Sequence, residues 1–294
     1  MSFKLIDGTK IALEIRRKVE LKSAILVENG WQPKLLSVVF STTDSKASSA
    51  IEWYVRNQKR VAEKCGIVFE ESEIPENISQ ESFVDFLSKA NQDPRVTGVV
   101  LQRPFPKHLQ TDQVQMAVHP LKDVEGMHPS SIGRVLVSMH VRILLYILKK
   151  IQYDDADLVP CTAKAAVACL KSTGLAKGPE QSLKGLTCVV VGHSEIVGKP
   201  ISFLLMNEGA IVTTCNHMTK DLNIHTRKAD AVFVAVGKRN LIQGNMLKPG
   251  AALVDVGINP ITDSVTGKES IVGDAEMESC LAVAGWITPV PGGT

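Results

Sequence analysis

The chain holds 294 residues, 44% hydrophobic and 22% charged, and its 33 Lys and Arg against 31 Asp and Glu leave a net charge of +2. That length suits one large α/β unit or two medium domains, each with its own core, and the near-neutral balance excludes a strong sequence-independent attraction to nucleic acid. Six cysteines without a CxxC pair argue against a disulfide framework, and seven histidines without a ligand spacing give no reason to expect a metal.

The first helix is expected from about Thr9 to Asn29, with Ile11, Ile15, Val19 and Leu26 approximating one face and Gly30 as its stop. A buried strand follows at Leu35 to Phe40, and a polar loop leads into a second helix from roughly Ala50 to Lys64, ended by Gly66. Ile67 to Glu70 reads as a strand, Gln80 to Asn91 as a helix and Gly98 to Gln102 as a further strand. Residues 138–157 form a mixed apolar and charged stretch, read as a short amphipathic helix; its most hydrophobic part, Ile143 to Leu148, is far too short to span a bilayer. After Pro160 the pattern restarts, with Thr162 expected to cap a helix through Lys171. Strands are then expected at Leu186 to Val191, Ile211 to Thr214, Ala231 to Val236 and Ala251 to Val256, the last two nearly continuous apolar runs of the kind covered on both faces. Alternating strands and helices predict an α/β fold with a mainly parallel sheet and a domain break near 158–162. The start lacks a signal-peptide run, so a cytoplasmic location without a membrane partner is expected.

The strongest local chemistry runs from Thr187 to Pro200, where a buried strand enters a glycine turn and a helix opens near Gly198. A helix start offers unpaired backbone N–H groups and a positive dipole end to a phosphate. Gly192 lets the main chain approach a pyrophosphate, Ser194 bonds a phosphate oxygen or caps the helix, and Pro200 fits a first helical turn. The spacing is GxxxxxG rather than GxGxxG, so the βαβ context carries the dinucleotide reading against the bland one, an ordinary tight turn. No Asp or Glu follows the second strand to hold a ribose 2′-hydroxyl. Cys215-Asn216-His217-Met218-Thr219-Lys220 stands there instead and leans towards NADP, with NAD as the alternative.

Several blocks occur in one order: Tyr54-Val55, Val100 to Pro106, Lys122-Asp123-Val124-Glu125-Gly126-Met127-His128-Pro129, Gly133-Arg134, Pro160-Cys161-Thr162, the loop 192–200, Val236-Gly237-Lys238, Asp255 to Asn259 and Ile287 to Gly293. Together they closely resemble the bifunctional methylenetetrahydrofolate dehydrogenase/methenyltetrahydrofolate cyclohydrolase family over nearly the whole chain. The resemblance implies an N-terminal α/β folate-binding and catalytic domain at 1–159, a Rossmann-like NAD(P)-binding domain at 160–287, and a truncated return segment to the N-terminal domain at 288–294. It further implies a cytoplasmic homodimer of one-carbon metabolism, serving purine biosynthesis. Such an enzyme moves a hydride from 5,10-methylenetetrahydrofolate to NADP and then hydrates the methenyl product, and its partner is a small folate rather than nucleic acid or membrane.

Carried over by position, Tyr54 is the folate-stacking tyrosine, Gln102 the glutamine that assists a catalytic lysine, and Glu125 the pterin-recognising carboxylate with one added methylene. Pro291 and Gly292 fall at substrate-binding positions; Gly192, His193, Ser194, Gly198, His217, Gly237 and Ile258 fall at cofactor positions. His193 replaces a frequent Arg, and His217 a frequent Ser. The sharpest departure is at Gln58. The family pattern is Tyr-x-x-x-Lys, and counting back from Gly66 puts Gln58 where the lysine belongs. Burial can draw a lysine down from a pKa of ~10.4 towards neutrality, whereas glutamine has no titratable proton. Lys59 lies about 100° further round the helix. General acid–base help is worth about 10²–10⁴-fold, so a weakened cyclohydrolase with hydride transfer less affected is expected. The reading from another class is a degenerate, non-catalytic member that binds dinucleotide or a protein partner. An unrelated hydroxy-acid dehydrogenase leaves the Pro104-Phe105-Pro106 and Lys122-to-Pro129 blocks unexplained.

Overall fold

The computed structural model describes residues 4–41, 45–136, 158–178, 181–262 and 269–293. The stretch 138–157, read from sequence as an amphipathic helix, lies outside the described residues. Two compact units are present, one holding Leu13–Arg134 and the other joining the residues up to Ala12 to the chain from Pro160 onwards.

The N-terminal unit is built on a parallel sheet of three strands, β2 (Lys34–Phe40) between β3 (Val68–Ile74) and β4 (Gly98–Leu101). β4 is wholly buried. Leu36 and Val38 pair in register with Val99 and Leu101 and pack with Phe83 and Leu87 of α3 (Gln80–Gln92) and Val114 of α4 (Thr111–Ala117). Each such side chain, once fully buried, contributes roughly 1.5–3 kcal/mol before entropy is counted. Phe40 meets the Phe83 ring edge-on at 4.9 Å. The Ser79 hydroxyl caps α3 by accepting from Ser82 N at 3.2 Å.

Two elements of this unit differ from expectation. In α1 (Gly8–Glu28) Ile15 is 51% exposed, and the inward stripe instead passes through Val19, Ser23 and Leu26. Ser23 is buried because its hydroxyl donates to Gly66 O at 3.0 Å. The second helix, α2 (Ser45–Lys64), starts five residues before Ala50. The preceding Ser-Lys-Ala-Ser-Ser run contains no Gly or Pro to stop it.

The C-terminal unit carries a six-stranded sheet in the order β1 (Lys4–Leu5), β11 (Trp286–Ile287), β8 (Ala252–Asp255), β7 (Ala231–Val234), β5 (Thr187–Val191), β6 (Ile211–Cys215), parallel throughout. Its layers follow the period of two: Cys188, Val190 and Phe233 face α5 (Cys161–Lys171) and α6 (Gly198–Asn207) through Leu170, Ile201 and Leu205. Val189, Val191 and Val232, together with Ile287 of β11, pack with Ile242 and Cys280 on the other side. Every residue of β7 and β8 is buried, which explains their unbroken apolar runs. α5 begins at Cys161 with Pro160 at the cap position and no side-chain cap bond, so Thr162 sits inside the helix instead of capping it. Lys164 N closes the first turn onto Pro160 O at 3.0 Å. The hairpin of β9 (Asn259–Thr262) and β10 (Glu269–Val272), and the short helices α7 (Leu222–Thr226) and α8 (Met277–Leu281), were not legible as periodic runs because each spans five residues or fewer. Among the described residues no helix is long and apolar enough to cross a membrane, and no group of His, Cys, Asp and Glu could hold a metal.

Candidate functional site

In each parallel sheet the chain changes its direction of winding, at β2 in the first and at β5 in the second, and both clusters of interest lie towards the carboxyl ends of the strands there, where open α/β sheets leave a crevice.

In the N-terminal unit, Val55 and Ala62 are buried and fix the rotation of α2. Lys59 is then exposed, while Gln58 is partly buried and reaches Gln102, the first residue after β4. Gln102 is only 6% exposed, and its Nε2 donates to Gln58 Oε1 at 2.7 Å and to Ser37 Oγ at 2.9 Å. Tyr54, one turn before Gln58, is 53% exposed, leaving a ring face free to stack. Next to Gln102, Leu101 N donates to Glu125 Oε2 at 3.1 Å. Burial holds the Glu125 carboxyl above the usual carboxylate range, against the opposing pull of the Leu101 N–H and the Arg103 guanidinium. Arg103 lies over the Phe105 ring at 4.6 Å, and Val99, Leu101, Arg103, Phe105, Glu125 and His128 line one small pocket. Asp123 holds the chain beyond that pocket by accepting from His128 N at 2.6 Å and Ser131 Oγ at 3.3 Å.

In the C-terminal unit the switch falls between β5 and β7. Gly192 follows β5 with φ of 113°, and a Cβ there would lie 2.3 Å from Ala235 O. Gly198 is equally confined, since a Cβ would lie 2.0 Å from Gly192 O. Glycines at both positions bring bare backbone to the mouth of the crevice. The Ser194 hydroxyl oxygen accepts from Val197 N at 3.2 Å and Gly198 N at 3.4 Å, which ties the loop to the start of α6 and leaves its own hydrogen to donate. His193 and His217, beyond β5 and β6, approach edge to face with ring centres 6.4 Å apart. Gly237 has φ of 72° after β7, and Ile258 is 67% exposed after β8. No carboxylate occurs in the loop 216–220 that faces the ribose end of such sites. These features fit a dinucleotide: a close-approach glycine turn, a helix start for the pyrophosphate, and an apolar side chain at the far end. Pro291 and Gly292 belong to this second unit, in the turn after β11, and Gly292 has φ of 103°.

Three of the cysteines are core atoms. Burial pushes Cys188 and Cys280 up to about 12 and Cys169 up to about 11, so these thiols stay protonated and serve as core atoms. Sequence reasoning missed Ser37, Arg103, and the buried pair Asp255 and Asp274. A lone polar residue within the apolar run 35–40 is the signal for Ser37, and an Asp closing the apolar strand β8 is the signal for Asp255.

Comparison with known proteins gives one family. The model described as "Tetrahydrofolate dehydrogenase/cyclohydrolase, catalytic domain" matches residues 6–125, and that described as "Tetrahydrofolate dehydrogenase/cyclohydrolase, NAD(P)-binding domain" matches residues 160–294. The bifunctional protein FolD 2 of Mesorhizobium japonicum is 48% identical over 288 residues, covering 98% of this chain and 85% of its own length. The bifunctional protein FolD of Moorella thermoacetica is 36% identical, covering 100% and 93%. Among solved structures, the methylenetetrahydrofolate dehydrogenase/cyclohydrolase FolD of Campylobacter jejuni superposes with a TM-score of 0.84 at 32% identity, over 99% of this chain and 93% of that one. The dehydrogenase-cyclohydrolase of Trypanosoma brucei, complexed with NADP and an inhibitor, gives 0.84 at 28% identity, over 100% and 92%.

Proposed function

Because this chain belongs to the tetrahydrofolate dehydrogenase/cyclohydrolase family, we propose that it oxidises 5,10-methylenetetrahydrofolate with NADP and hydrolyses the methenyl product poorly. When bound, the nicotinamide supplies the hydride acceptor. Gly192, Ser194, Gly198 and Gly237 would hold the dinucleotide, with His193 and His217 towards its ribose and Ile258 against the nicotinamide end. Tyr54 offers the stacking face for the folate, Glu125 the carboxylate for the pterin, and Pro291 with Gly292 further substrate contacts. For hydride transfer the residues have only to position the two partners and keep water out, and none of that work needs a proton-carrying side chain.

Hydrolysis asks for more. Water adds to the methenyl carbon and loses a proton; the hydroxyl so formed must then give up its remaining proton while a proton reaches N5 as the C–N5 bond breaks to give the 10-formyl compound. The observation that carries the proposal is the 2.7 Å bond between Gln58 Oε1 and Gln102 Nε2. Two neutral amides occupy the place where a lysine would act, and neither titrates near neutrality whichever way each is turned. The protein should therefore reduce NADP in the presence of methylenetetrahydrofolate, while the methenyl product decays at close to its rate in buffer. Gln58→Lys should speed that decay by about 10²-fold. Unchanged decay in a folded Gln58→Lys protein would rule out this role for position 58. A homodimer in the cytoplasm belongs to the same reading; a monomer mass at micromolar concentration by sedimentation would remove the dimer.

A further inference from the structure

Two buried carboxylates beneath the proposed nicotinamide end have no part in the chemistry above. Asp255 closes β8, Asp274 follows β10, and both are fully buried. Asp274 Oδ2 accepts from Val236 N at 2.7 Å and Gly237 N at 3.0 Å, and its Oδ1 accepts from Asn259 Nδ2 at 2.8 Å. Asp255 Oδ1 accepts from Gly257 N at 2.9 Å and from Asp274 N at 3.0 Å, and its Oδ2 from Ala275 N at 2.8 Å. The Asp255 backbone N–H in turn donates to Thr288 Oγ1 at 2.8 Å. The packing is tight enough to exclude any larger residue beside the pair: a Cβ on Gly257 would lie 2.2 Å from Asp274 Cγ, and one on Gly273 2.0 Å from Asp255 Oδ2.

A buried carboxylate costs several kcal/mol unless its oxygens are fully bonded. Apart from the Asn259 side-chain amide, the bonds come from backbone N–H groups of three separate loops, those after β7, after β8 and after β10. Two of these loops carry Gly237 and Ile258. We infer that Asp274, supported by Asp255, is a positioning residue that sets the backbone of both loops for the nicotinamide half of the dinucleotide. The inference rests on the cofactor reading given above and assigns that reading a device no side chain at the surface supplies.

Asp274→Asn is the discriminating variant, because it changes charge and donor pattern with almost no change in shape. An asparagine has one acceptor and one NH₂, so its NH₂ must face either the Val236 and Gly237 N–H groups or the Asn259 NH₂. Donor meets donor in both orientations. Expected is a rise of about 10-fold or more in the Kd and KM for NADP, the scale set by losing bonds to a charged acceptor, with the KM for methylenetetrahydrofolate changed by less than about 3-fold. Amide hydrogen exchange should quicken at 236–238 and 257–259 while β7 and β8 stay protected. Asn259→Ser, which removes one of the three bonds to Asp274, should show the same pattern more weakly and keeps the test open if Asp274→Asn fails to fold. Unaltered NADP affinity in a folded variant overturns the positioning role, and so does an equal rise in both KM values. Wild-type protein that binds no NADP by calorimetry overturns the cofactor reading itself, and this inference with it.

Discussion

Gln58 and Glu125 both sit at the end of β4, yet they pose opposite electrostatic problems. Gln58 shares a neutral hydrogen bond with Gln102 and is indifferent to pH. Glu125 keeps a carboxyl that burial has pushed up from its ordinary range. An acid whose pKa is raised on folding binds more protons native than unfolded between the ordinary value and the raised one, so its contribution to stability falls as pH rises through that window. Glu125→Gln cannot ionise and should lose this dependence. Its stability relative to wild type should therefore increase as pH rises above the ordinary carboxylate range, as urea melts at stepped pH would show. A constant difference over that rise would contradict the burial argument. At this scale the sequence was informative wherever a periodic element fixed the register: Gly66, with φ of 72°, ends α2 where counting back required, and that places Gln58 rather than Lys59 beside Gln102. Ser37 escaped notice because a hydroxyl inside a buried strand has meaning only once its long-range partner, 65 residues away, is known.

The turn from β5 into α6 shows how an element can be specified by what it lacks. At Gly192 both the backbone dihedral and the space forbid a side chain, since φ is 113° and Ala235 O would stand 2.3 Å from a Cβ. Gly192→Ala should destabilise the protein by about 1–3 kcal/mol from the dihedral alone, with overlap adding to it. It should also weaken NADP binding, both effects being measurable by a denaturant melt and a fluorescence titration on one sample. A variant with wild-type melting and affinity would show that the turn tolerates a side chain. Element ends were the least legible feature, for a reason visible at Ser45 and Cys161. Propensity differs by less than about 1 kcal/mol per residue across Ser, Lys, Ala and Cys, too little to set a boundary against tertiary packing.

Over the whole molecule, the alternation of strands and helices predicted a mainly parallel sheet, and the two larger sheets are parallel throughout while the β9/β10 hairpin is antiparallel. What it did not reveal is that the first strand belongs with the last. Two residues, Lys4 and Leu5, are too few for any pattern, and their place is set by Ile6, which is 3% exposed and packs with Leu170, Phe233 and Val254 in the second unit's core. Ile6→Ala should remove about 2–5 kcal/mol, the cost of emptying a well-packed site, and calorimetry should register it as a lower melting temperature. No shift in melting would mean that the edge strand contributes nothing to the core.

The pairing of β1 with β11 also orders events during synthesis. The sheet partners of Lys4 and Leu5, Trp286 and Ile287, are translated some 280 residues after them. At the ~5–20 residues per second of a translating ribosome, that wait lasts on the order of 15–60 seconds. Ile6 can meet its core partners Leu170, Phe233 and Val254 before then, but the backbone of β1 has no sheet partner until β11 is made, so nascent chains stalled before Trp286 should be open to proteases and chaperones at Lys4 and Leu5.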